Sequence, residues 1–321
     1  MLCINGKQMH SVVSYEEIIE KIEEVFRIQQ SGNFLMPDRM HAEYRGNTLL
    51  LMPCFTPAAM GTKMVSLFPE NVNKGLPRLY GEMILNDAET GAPLALMNGA
   101  VLTALRTGAV GGVGVKYTTP NEISVLGIVG TGIQGLSQAV YATLIRPVKK
   151  VVIFDLDQKN IEHFEKHYSQ KFKTIPIKKV GSAEELAEIS EVIITATNSR
   201  TPVLPDDKDL LNGKHVIGIG SYKPDMRQFP EALFKLTQKI FVDTELAKKE
   251  SGDLTVPLQK GWMDEKQVVP LGKLVTGEVN IDPRSQTTLF KSVGMALFDL
   301  LTADYIYKKA KQKKIGTEVD L

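Results

Sequence analysis

One segment, residues 123–135 (Ile-Ser-Val-Leu-Gly-Ile-Val-Gly-Thr-Gly-Ile-Gln-Gly), constrains the fold more than any other part of the chain. An apolar run rich in β-branched residues leads into a Gly-x-Gly-x-x-Gly loop, and helical spacing then continues up to Pro147. A second apolar run, residues 151–154, ends in Asp155, twenty residues after Gly135. This order predicts a dinucleotide-binding βαβ unit, and the complete unit disfavours the alternative of a tight turn without a ligand.

The predicted cofactor-binding residues lie in this loop and after the later parallel strands. In an open α/β sheet, ligands bind beyond the carboxyl ends of the strands, so several loops should face one crevice. From the sequence these residues are Gly130, Thr131, Gly132, Ile133, Gln134, Asp155, Thr197, Asn198 and Gly220.

The end of the second predicted strand also indicates which cofactor binds. A carboxylate at Asp155 accepts the two hydroxyls of the NAD ribose and repels a 2′-phosphate. The next two residues, Leu156 and Asp157, supply no Arg to receive such a phosphate. We therefore predict NAD(H), with NADP(H) as a possible second cofactor.

The length of 321 residues exceeds the usual size of a single core and predicts two domains. Residues 119–295 alternate strands and helices, which predicts a Rossmann fold with a doubly wound parallel sheet. Residues 1–118 show a helix after the capping residue Ser14 and then strand-like alternation, typical of an α+β domain. A final helix from about Thr287 to Lys314 is expected to cross back, so that residues 296–321 complete the first domain.

Composition excludes several classes of function. The 38 basic and 37 acidic residues nearly cancel, so no global field favours nucleic acid or an anionic membrane. No apolar run approaches the ~20 residues that a bilayer requires. The two cysteines, Cys3 and Cys54, have no metal-ligand spacing and fit a reducing cytoplasm. We predict no metal site, because His163 and His167 have no carboxylate motif near them.

Motifs along almost the whole chain resemble those of the ornithine cyclodeaminase/mu-crystallin family. The most specific match is residues 102–109 (Leu-Thr-Ala-Leu-Arg-Thr-Gly-Ala), followed about twenty residues later by the glycine loop. The matching segments are residues 37–41, 61–63, 75–77, 87–95, 102–109, 130–135 and 290–294, together with Asp299.

The resemblance implies a homodimer formed through the first domain, a nicotinamide dinucleotide on the Rossmann domain and an α-amino or α-imino acid substrate. Arg39, Lys63 and Arg106 stand at the family's substrate positions, Lys63 and Arg106 as the catalytic pair, and Ser292 joins the cofactor-binding residues. Physical chemistry agrees, because a guanidinium holds a planar carboxylate through two bonds. A lysine close to other cations can donate a proton to nitrogen.

Members of this family divide between two chemistries. A reductase transfers hydride to a C=N bond beside a carboxylate, as in Δ1-pyrroline-2-carboxylate, piperideine-2-carboxylate or an open-chain imine of a 2-oxo acid. A cyclodeaminase uses NAD catalytically to turn ornithine into proline and ammonia, and it needs a carboxylate for the distal ammonium. In ornithine cyclodeaminases that acid lies in the loop that corresponds here to residues 220–227.

In this chain Tyr222 stands where the acid is expected, and Asp225 lies three residues on. We therefore predict NAD(P)H-dependent reduction of a cyclic imino acid such as Δ1-pyrroline-2-carboxylate to L-proline, or the related reversible oxidation of an amino acid to an imine, and count both residues among the substrate-binding ones. Ornithine cyclodeaminase remains the alternative, with Asp225 as the substitute acid. A third interpretation is a dinucleotide-bound storage or binding protein, as mu-crystallin itself illustrates.

Overall fold

The computed structural model describes residues 1–320 and divides them into two compact units. The first unit contains Met1–Arg106 and the chain from Met295 onward, and the second unit is Thr107–Gly294. The division differs from the predicted domain boundaries after residues 118 and 295. It falls inside the helix Gly99–Thr118, whose glycine-rich second half packs within the second unit.

The strands and helices follow one another in the order given next. They are β1 Leu2–Ile4, α1 Gly6–Val12, α2 Tyr15–Ser31, β2 Met40–Tyr44, β3 Asn47–Phe55, β4 Met60–Leu67, β5 Leu79–Asn86, β6 Pro93–Asn98, α3 Gly99–Thr118, β7 Val125–Val129, α4 Ile133–Ile145, β8 Lys150–Phe154, α5 Gln158–Lys171, β9 Ile177–Lys179, α6 Ala183–Ile189, β10 Val192–Thr195, α7 Lys208–Leu211, β11 His215–Gly218, α8 Glu231–Leu236, β12 Ile240–Val242, α9 Ala247–Glu250, α10 Gly252–Lys260, β13 Val268–Pro270, α11 Leu271–Val275, β14 Thr288–Lys291, α12 Ala296–Lys313 and β15 Thr317–Glu318.

A seven-stranded sheet in the order β15-β1-β6-β5-β4-β3-β2 forms the first unit. Strands β2 to β6 are antiparallel neighbours, as their alternation predicts. Met52, Lys63 and Met83 lie side by side on the buried face of β3, β4 and β5, and α12 packs against these three strands. The opposite face of the sheet carries exposed apolar side chains.

Local signals explain the helix α2 and the closure of this sheet by both chain ends. The Ser14 side chain accepts a hydrogen bond from Glu17 N, and Gly32 ends the helix at φ 71°, a conformation that favours glycine. At the sheet edge β1 pairs with β15, and the N-terminal ammonium of Met1 donates to Val319 O at 3.0 Å.

The second unit contains an eight-stranded, entirely parallel sheet in the order β13-β12-β14-β11-β10-β7-β8-β9. Within this sheet the first strand is β7. The strands β8 and β9 are added on one side of β7, and the chain then returns to add β10 on the other side of β7. The prediction of a Rossmann-type doubly wound sheet is confirmed. The carboxyl ends of β7 and β10 flank its topological switch point, where ligands bind in such sheets.

The predicted final helix is wrong over its first part. Residues Thr288–Lys291 form the buried strand β14 between β11 and β12, and α12 begins only at Ala296. A short apolar run fits a buried strand as well as a helix, so periodicity could not separate the two. Gly294, at φ 79°, breaks the regular secondary structure between β14 and α12.

The glycines of α3 permit close packing on α4. A Cβ at Gly111 would lie 1.7 Å from Gln138 Oε1, and one at Gly108 would lie 2.2 Å from Ser137 Oγ. Gln138 Nε2 donates to Thr107 O at 2.7 Å across this contact. Helix α4, which begins at the dinucleotide loop, therefore packs closely against the glycine-rich face of α3.

No helix among residues 1–320 is both long and apolar enough to cross a membrane. Within the same residues, no group of three or more His, Cys, Asp and Glu side chains could hold a metal ion.

Candidate active site

A buried carboxylate in the first unit holds two cations. Lys63 Nζ lies 2.7 Å from Asp299 Oδ2, and Arg106 Nε donates to Asp299 Oδ1 at 2.9 Å. Lys63 is 3% exposed, Arg106 5% and Asp299 0%, so solvent screens these charges little. Three distant elements, β4, α3 and α12, supply the three side chains.

Burial and neighbouring charges set the protonation states in this cluster. Burial lowers the pKa of Lys63 to about 8, with Asp299 opposing the shift and Arg106 and Arg39 adding to it. Burial alone would raise the pKa of Asp299, but Arg106 and Lys63 outweigh it and hold that pKa below its ordinary value. Asp299 is therefore ionised at neutral pH, and Lys63 titrates just above neutrality.

Hydrogen-bond donors in the cluster remain available for a ligand. Arg106 Nη1 is buried and meets no acceptor within residues 1–320. Lys63 Nζ donates to Asp299 and, at 3.3 Å, to Thr103 Oγ1, and an ammonium carries a third N–H. Arg39, half-buried just before β2, acts on the Lys63 pKa. The cluster carries more positive than negative charge and suits a small carboxylate.

The glycine loop of the second unit has the geometry of a phosphate cradle. Gly130 has φ 90°, and a Cβ there would lie 2.8 Å from Ala196 O. A Cβ at Gly135 would lie 1.9 Å from Gly130 O, so two of the glycines are required by packing. A Cβ at Gly132, the N-cap of α4, would meet nothing within 4 Å. This open side at a helix N-terminus fits the pyrophosphate of a dinucleotide.

Asp155 fixes the glycine loop to the end of β8. Its Oδ2 accepts from Thr131 N at 2.6 Å and from Thr131 Oγ1 at 3.0 Å, while Oδ1 accepts from Asp157 N at 2.9 Å. Oδ2 also accepts from Asn160 Nδ2 at 3.4 Å, whereas Oδ1 meets a single donor and retains an acceptor position for a ribose hydroxyl. Leu156 is 94% exposed and gives no positive charge for a 2′-phosphate. These residues fit NAD(H).

The other predicted cofactor residues lie at the same edge of this sheet. The loops after β10 and β11 touch, because a Cβ at Gly220 would lie 1.9 Å from Thr197 O. Gln134 Oε1 is buried without a donor among the described residues, whereas Ile133 and Asn198 are exposed. All five residues follow the carboxyl ends of parallel strands.

Sequence reasoning missed the residue that orders the loop after β14. The Ser292 hydroxyl donates to Asp243 Oδ2 at 2.6 Å, and the same oxygen accepts from Val293 N at 3.0 Å and Gly294 N at 2.7 Å. The only sequence signal was the position of Asp243, directly after the apolar strand β12.

The two predicted substrate residues of the loop after β11 lie in the second unit. Tyr222 is 41% exposed, next to a fully buried Ser221 whose hydroxyl donates to Met226 O at 2.7 Å. The Asp225 carboxylate lies 3.2 Å from Arg200 Nη2, and its side chain is 54% exposed. Within the first unit, Lys63 and Arg106 lie together on the carboxylate of Asp299.

Asp299 was noted in the sequence only as a family motif residue, without a role. Its partner Lys63 is 236 positions away, so no local pattern connects them. One signal could have identified it: Asp299 is the single charged residue in the otherwise apolar stretch 296–301 (Ala-Leu-Phe-Asp-Leu-Leu). A carboxylate in a buried helical run requires a cationic partner.

Together, the parallel sheet with its glycine loop and the cationic cluster define a two-unit protein of the dinucleotide-binding class with a site for a small carboxylate. The chain belongs to the ornithine cyclodeaminase/mu-crystallin family, whose family model matches residues 4–314.

Relatives of known name resemble this chain over its full length. A Δ1-pyrroline-2-carboxylate reductase of Bacillus cereus is 32% identical, with 100% of both chains covered. The structure of Thermococcus litoralis Δ1-pyrroline-2-carboxylate reductase with NADH and L-proline superposes with a TM-score of 0.93 and 35% identity, covering 99% of this chain and 100% of that one. An archaeal alanine dehydrogenase dimer with bound NAD gives a TM-score of 0.92 and 30% identity, covering 100% and 99%.

Proposed function

We propose that this chain reduces Δ1-pyrroline-2-carboxylate to L-proline with NADH. The observation that carries the proposal is the buried Arg106 Nη1, which lacks an acceptor within residues 1–320 and lies in the same cluster as Lys63. The similarity to reductases of this substrate over the full chain supports the choice of imino acid. The reaction consumes one NADH and one proton and yields one NAD⁺.

Arg106 binds and orients the substrate carboxylate. Its Nε is held by Asp299, and its buried Nη1, which meets no acceptor within residues 1–320, is available for a second carboxylate. Arg39 adds positive charge next to Lys63. Fixing the carboxylate also fixes the adjacent imine carbon, which lowers the entropic barrier to hydride transfer.

Lys63 supplies the proton. NADH, when bound, would supply the hydride for the imine carbon, and the nitrogen would then require one proton to become the secondary amine. The Lys63 ammonium has one N–H beyond those used by Asp299 and Thr103. With a pKa of about 8, it is charged at neutral pH yet a better acid than an ordinary lysine.

The second unit holds the NADH. Gly132 leaves the N-terminus of α4 open to the pyrophosphate, and Asp155 receives the adenosine ribose hydroxyls. Asp155 and Asp157 repel a 2′-phosphate, so NADPH should bind more weakly than NADH. Equal or tighter binding of NADPH would contradict this role of Asp155.

Ornithine cyclodeamination is less well supported by the loop after β11. That reaction needs a carboxylate to hold a distal ammonium, and Tyr222 offers none. The alternative acid, Asp225, is more than half exposed and already pairs with Arg200. Reduction of an imine requires no acid at this place.

One set of assays tests the proposal. Purified protein is mixed with NADH and Δ1-pyrroline-2-carboxylate, and separately with NAD and ornithine. Loss of NADH with an equal amount of L-proline supports the reductase. Ammonia and proline from ornithine without net NADH would support the cyclodeaminase instead. NADH binding with neither reaction would support a binding protein and overturn the proposal.

We also propose that the protein is a homodimer formed through the uncovered face of the first-unit sheet. Met40, Leu49, Phe55 and Ile84 lie on this face, opposite the side on which α12 packs, and are 60%, 38%, 40% and 39% exposed. An apolar sheet face of this kind is typical of a protein interface. The archaeal alanine dehydrogenase is a dimer, which supports an assembly of two chains.

The cytoplasm is the proposed location. Cys3 is a half-buried free thiol and Cys54 a buried one, so the fold uses no disulfide within residues 1–320. This pattern is typical of reducing compartments.

A further inference from the structure

We propose that Asp299 is the positioning residue of the carboxylate site, through which Lys63 and Arg106 acquire the geometry and charge that the reaction needs. The inference deepens the proposed function and rests on it for its catalytic part. Asp299 lies in the first turn of α12, far in sequence from both cations, and acts on the substrate only through them.

The geometry of Asp299 assigns one oxygen to each cation. Oδ1 accepts from Arg106 Nε and Oδ2 from Lys63 Nζ, so the carboxylate sets the distance between the two groups. A guanidinium is planar, and an acceptor at Nε leaves the edge formed by the terminal nitrogens for another carboxylate. The buried Nη1 of Arg106 lies on this edge. Asp299 therefore presents Arg106 to the substrate in a single orientation.

Asp299 also supplies the negative charge of the cluster. The charged groups that act on Lys63 are Asp299 from α12, Arg106 from α3 and Arg39 before β2. On the neighbouring strands, Cys54 of β3 is a buried thiol, and Met83 of β5 is uncharged. Only Asp299 among these groups favours the ammonium.

Loss of this charge should therefore remove the proton donor. With Asp299 neutral, burial and two guanidinium groups all favour neutral Lys63. An opposite charge at hydrogen-bond distance typically shifts a pKa by about 1–3 units. Arrival of the substrate carboxylate adds a second negative charge and favours the ammonium further, so binding and proton uptake are coupled.

The test is the isosteric variant Asp299→Asn. We expect kcat/KM at neutral pH to fall about 100-fold or more, the order of a lost proton donor. The alkaline decline of kcat/KM should begin at least about one pH unit lower than in the wild type. Activity should recover partly near pH 6, where Lys63 regains its proton, whereas NADH affinity by fluorescence should change less than about twofold.

The matched control is Asp304→Asn, the same substitution on the same helix. Asp304 pairs with the exposed Lys308 at 2.6 Å, away from the cluster. This variant should keep the wild-type pH profile. An Asp299→Asn profile that only drops uniformly, without a shift of the alkaline decline, would indicate a purely structural role and overturn the proposal.

A second measurement does not depend on the imino acid. Nuclear magnetic resonance of protein carrying carbon-13 at the lysine Cε positions, with Lys63→Met to assign the signal, reports the titration of the buried Lys63 itself over a range of pH. A lower Lys63 pKa in Asp299→Asn supports the proposal even if wild-type protein fails to reduce Δ1-pyrroline-2-carboxylate, in which case only the proposed function fails. An unchanged Lys63 pKa overturns the role of Asp299 while the proposed function stands.

If Asp299→Asn does not fold, Asp299→Glu answers the same question, because it preserves the charge. A Lys63 titration near the wild-type value together with a kcat/KM lowered at least about tenfold supports the proposal, because the charge is kept while the carboxylate is displaced; wild-type titration with wild-type kcat/KM contradicts it. A titration that moves downward although the charge is retained contradicts it.

Discussion

Lys63 is a fully buried ammonium with one buried counter-ion. This arrangement is unfavourable for the stability of the fold. Burying a charge is unfavourable unless it is paired and hydrogen-bonded, and here two guanidinium groups add repulsion. The lowered pKa of Lys63 is the result. Perturbed groups of this kind cluster at functional sites, which agrees with a proton donor.

The pH dependence of catalysis should report this pKa. In the proposed reaction, reduction needs the ammonium of Lys63, which predominates below pH 8 and is lost above it, because the pKa of Lys63 is about 8. We expect kcat/KM for imine reduction to be level on the acid side and to fall about tenfold per unit above that pKa. Proline oxidation needs the neutral amine of Lys63, so kcat/KM for oxidation should rise over the same pH range. Initial rates of NADH consumption and formation measure both.

Replacement of Lys63 by Met should remove this titration and lower kcat/KM about 10²–10⁴-fold. The exposed Lys21, which pairs with Glu24 on α2, provides the control in Lys21→Met. A Lys63→Met enzyme that retained the alkaline decline would show that another group supplies the proton.

At the scale of single residues, sequence motifs identified the cations but not their counter-ion. Lys63 and Arg106 lie in short segments that resemble a family pattern, and their residue types match a carboxylate. Asp299 becomes their partner only when α12 packs on β3, β4 and β5. Such tertiary pairing has no local signature, so a single sequence could not reveal it.

Among the elements, a second buried ion pair connects β14 to α10 in the second unit. Lys291 Nζ lies 3.1 Å from Asp253 Oδ2, and both side chains are 0% exposed. Asp253 Oδ1 also accepts from Gln228 N at 2.5 Å and Phe229 N at 3.1 Å. The pair fixes the segment before α8 to the carboxyl end of β14, in the interior of the sheet.

Removal of one partner should lower the stability of the fold strongly, because it leaves a buried charge uncompensated. Lys291→Met should lower the free energy of unfolding by about 3–5 kcal/mol in urea denaturation. Lys178→Met, which breaks the exposed pair with Glu185 at 3.0 Å, is the control and should cost less than about 1 kcal/mol. Similar losses in the two variants would argue against the structural importance of the buried pair.

Element prediction succeeded where the pattern was long or capped. The helix α2 has a serine cap, an apolar stripe and a terminal glycine. In β3 to β6, apolar and polar residues alternate or the strand follows turn residues. It failed at β14, whose four residues are all buried and so show no alternation. The edge strand β9 has only three residues, Ile177–Lys179, and two of them are exposed.

At the scale of the whole molecule, the proposed dimer predicts that a charge on the uncovered sheet face will separate the protomers. Ile84→Lys places an ammonium among apolar side chains that a partner would bury. Light scattering should show the mass of two chains for the wild type and of one chain for the variant. Lys178→Glu, an exposed charge reversal in the second unit, should leave the wild-type mass unchanged. A monomeric wild type would contradict the dimer.

The order of elements along the chain allowed the Rossmann fold to be predicted, because its βαβ units are contiguous. The boundary between the two units was harder to predict. Helix α3 belongs to both units, and its glycines pack on Ser137 and Gln138 in a way that no sequence spacing describes.

The discontinuous first unit has a consequence for biosynthesis. The second unit, Thr107–Gly294, is complete before the ribosome adds Asp299, and domains generally fold as they emerge. A nascent chain can thus contain a finished dinucleotide unit while Lys63 and Arg106 still lack their counter-ion. The cationic cluster is completed only when α12 is added, so we expect a chain truncated before α12 to hold nucleotide without turning it over.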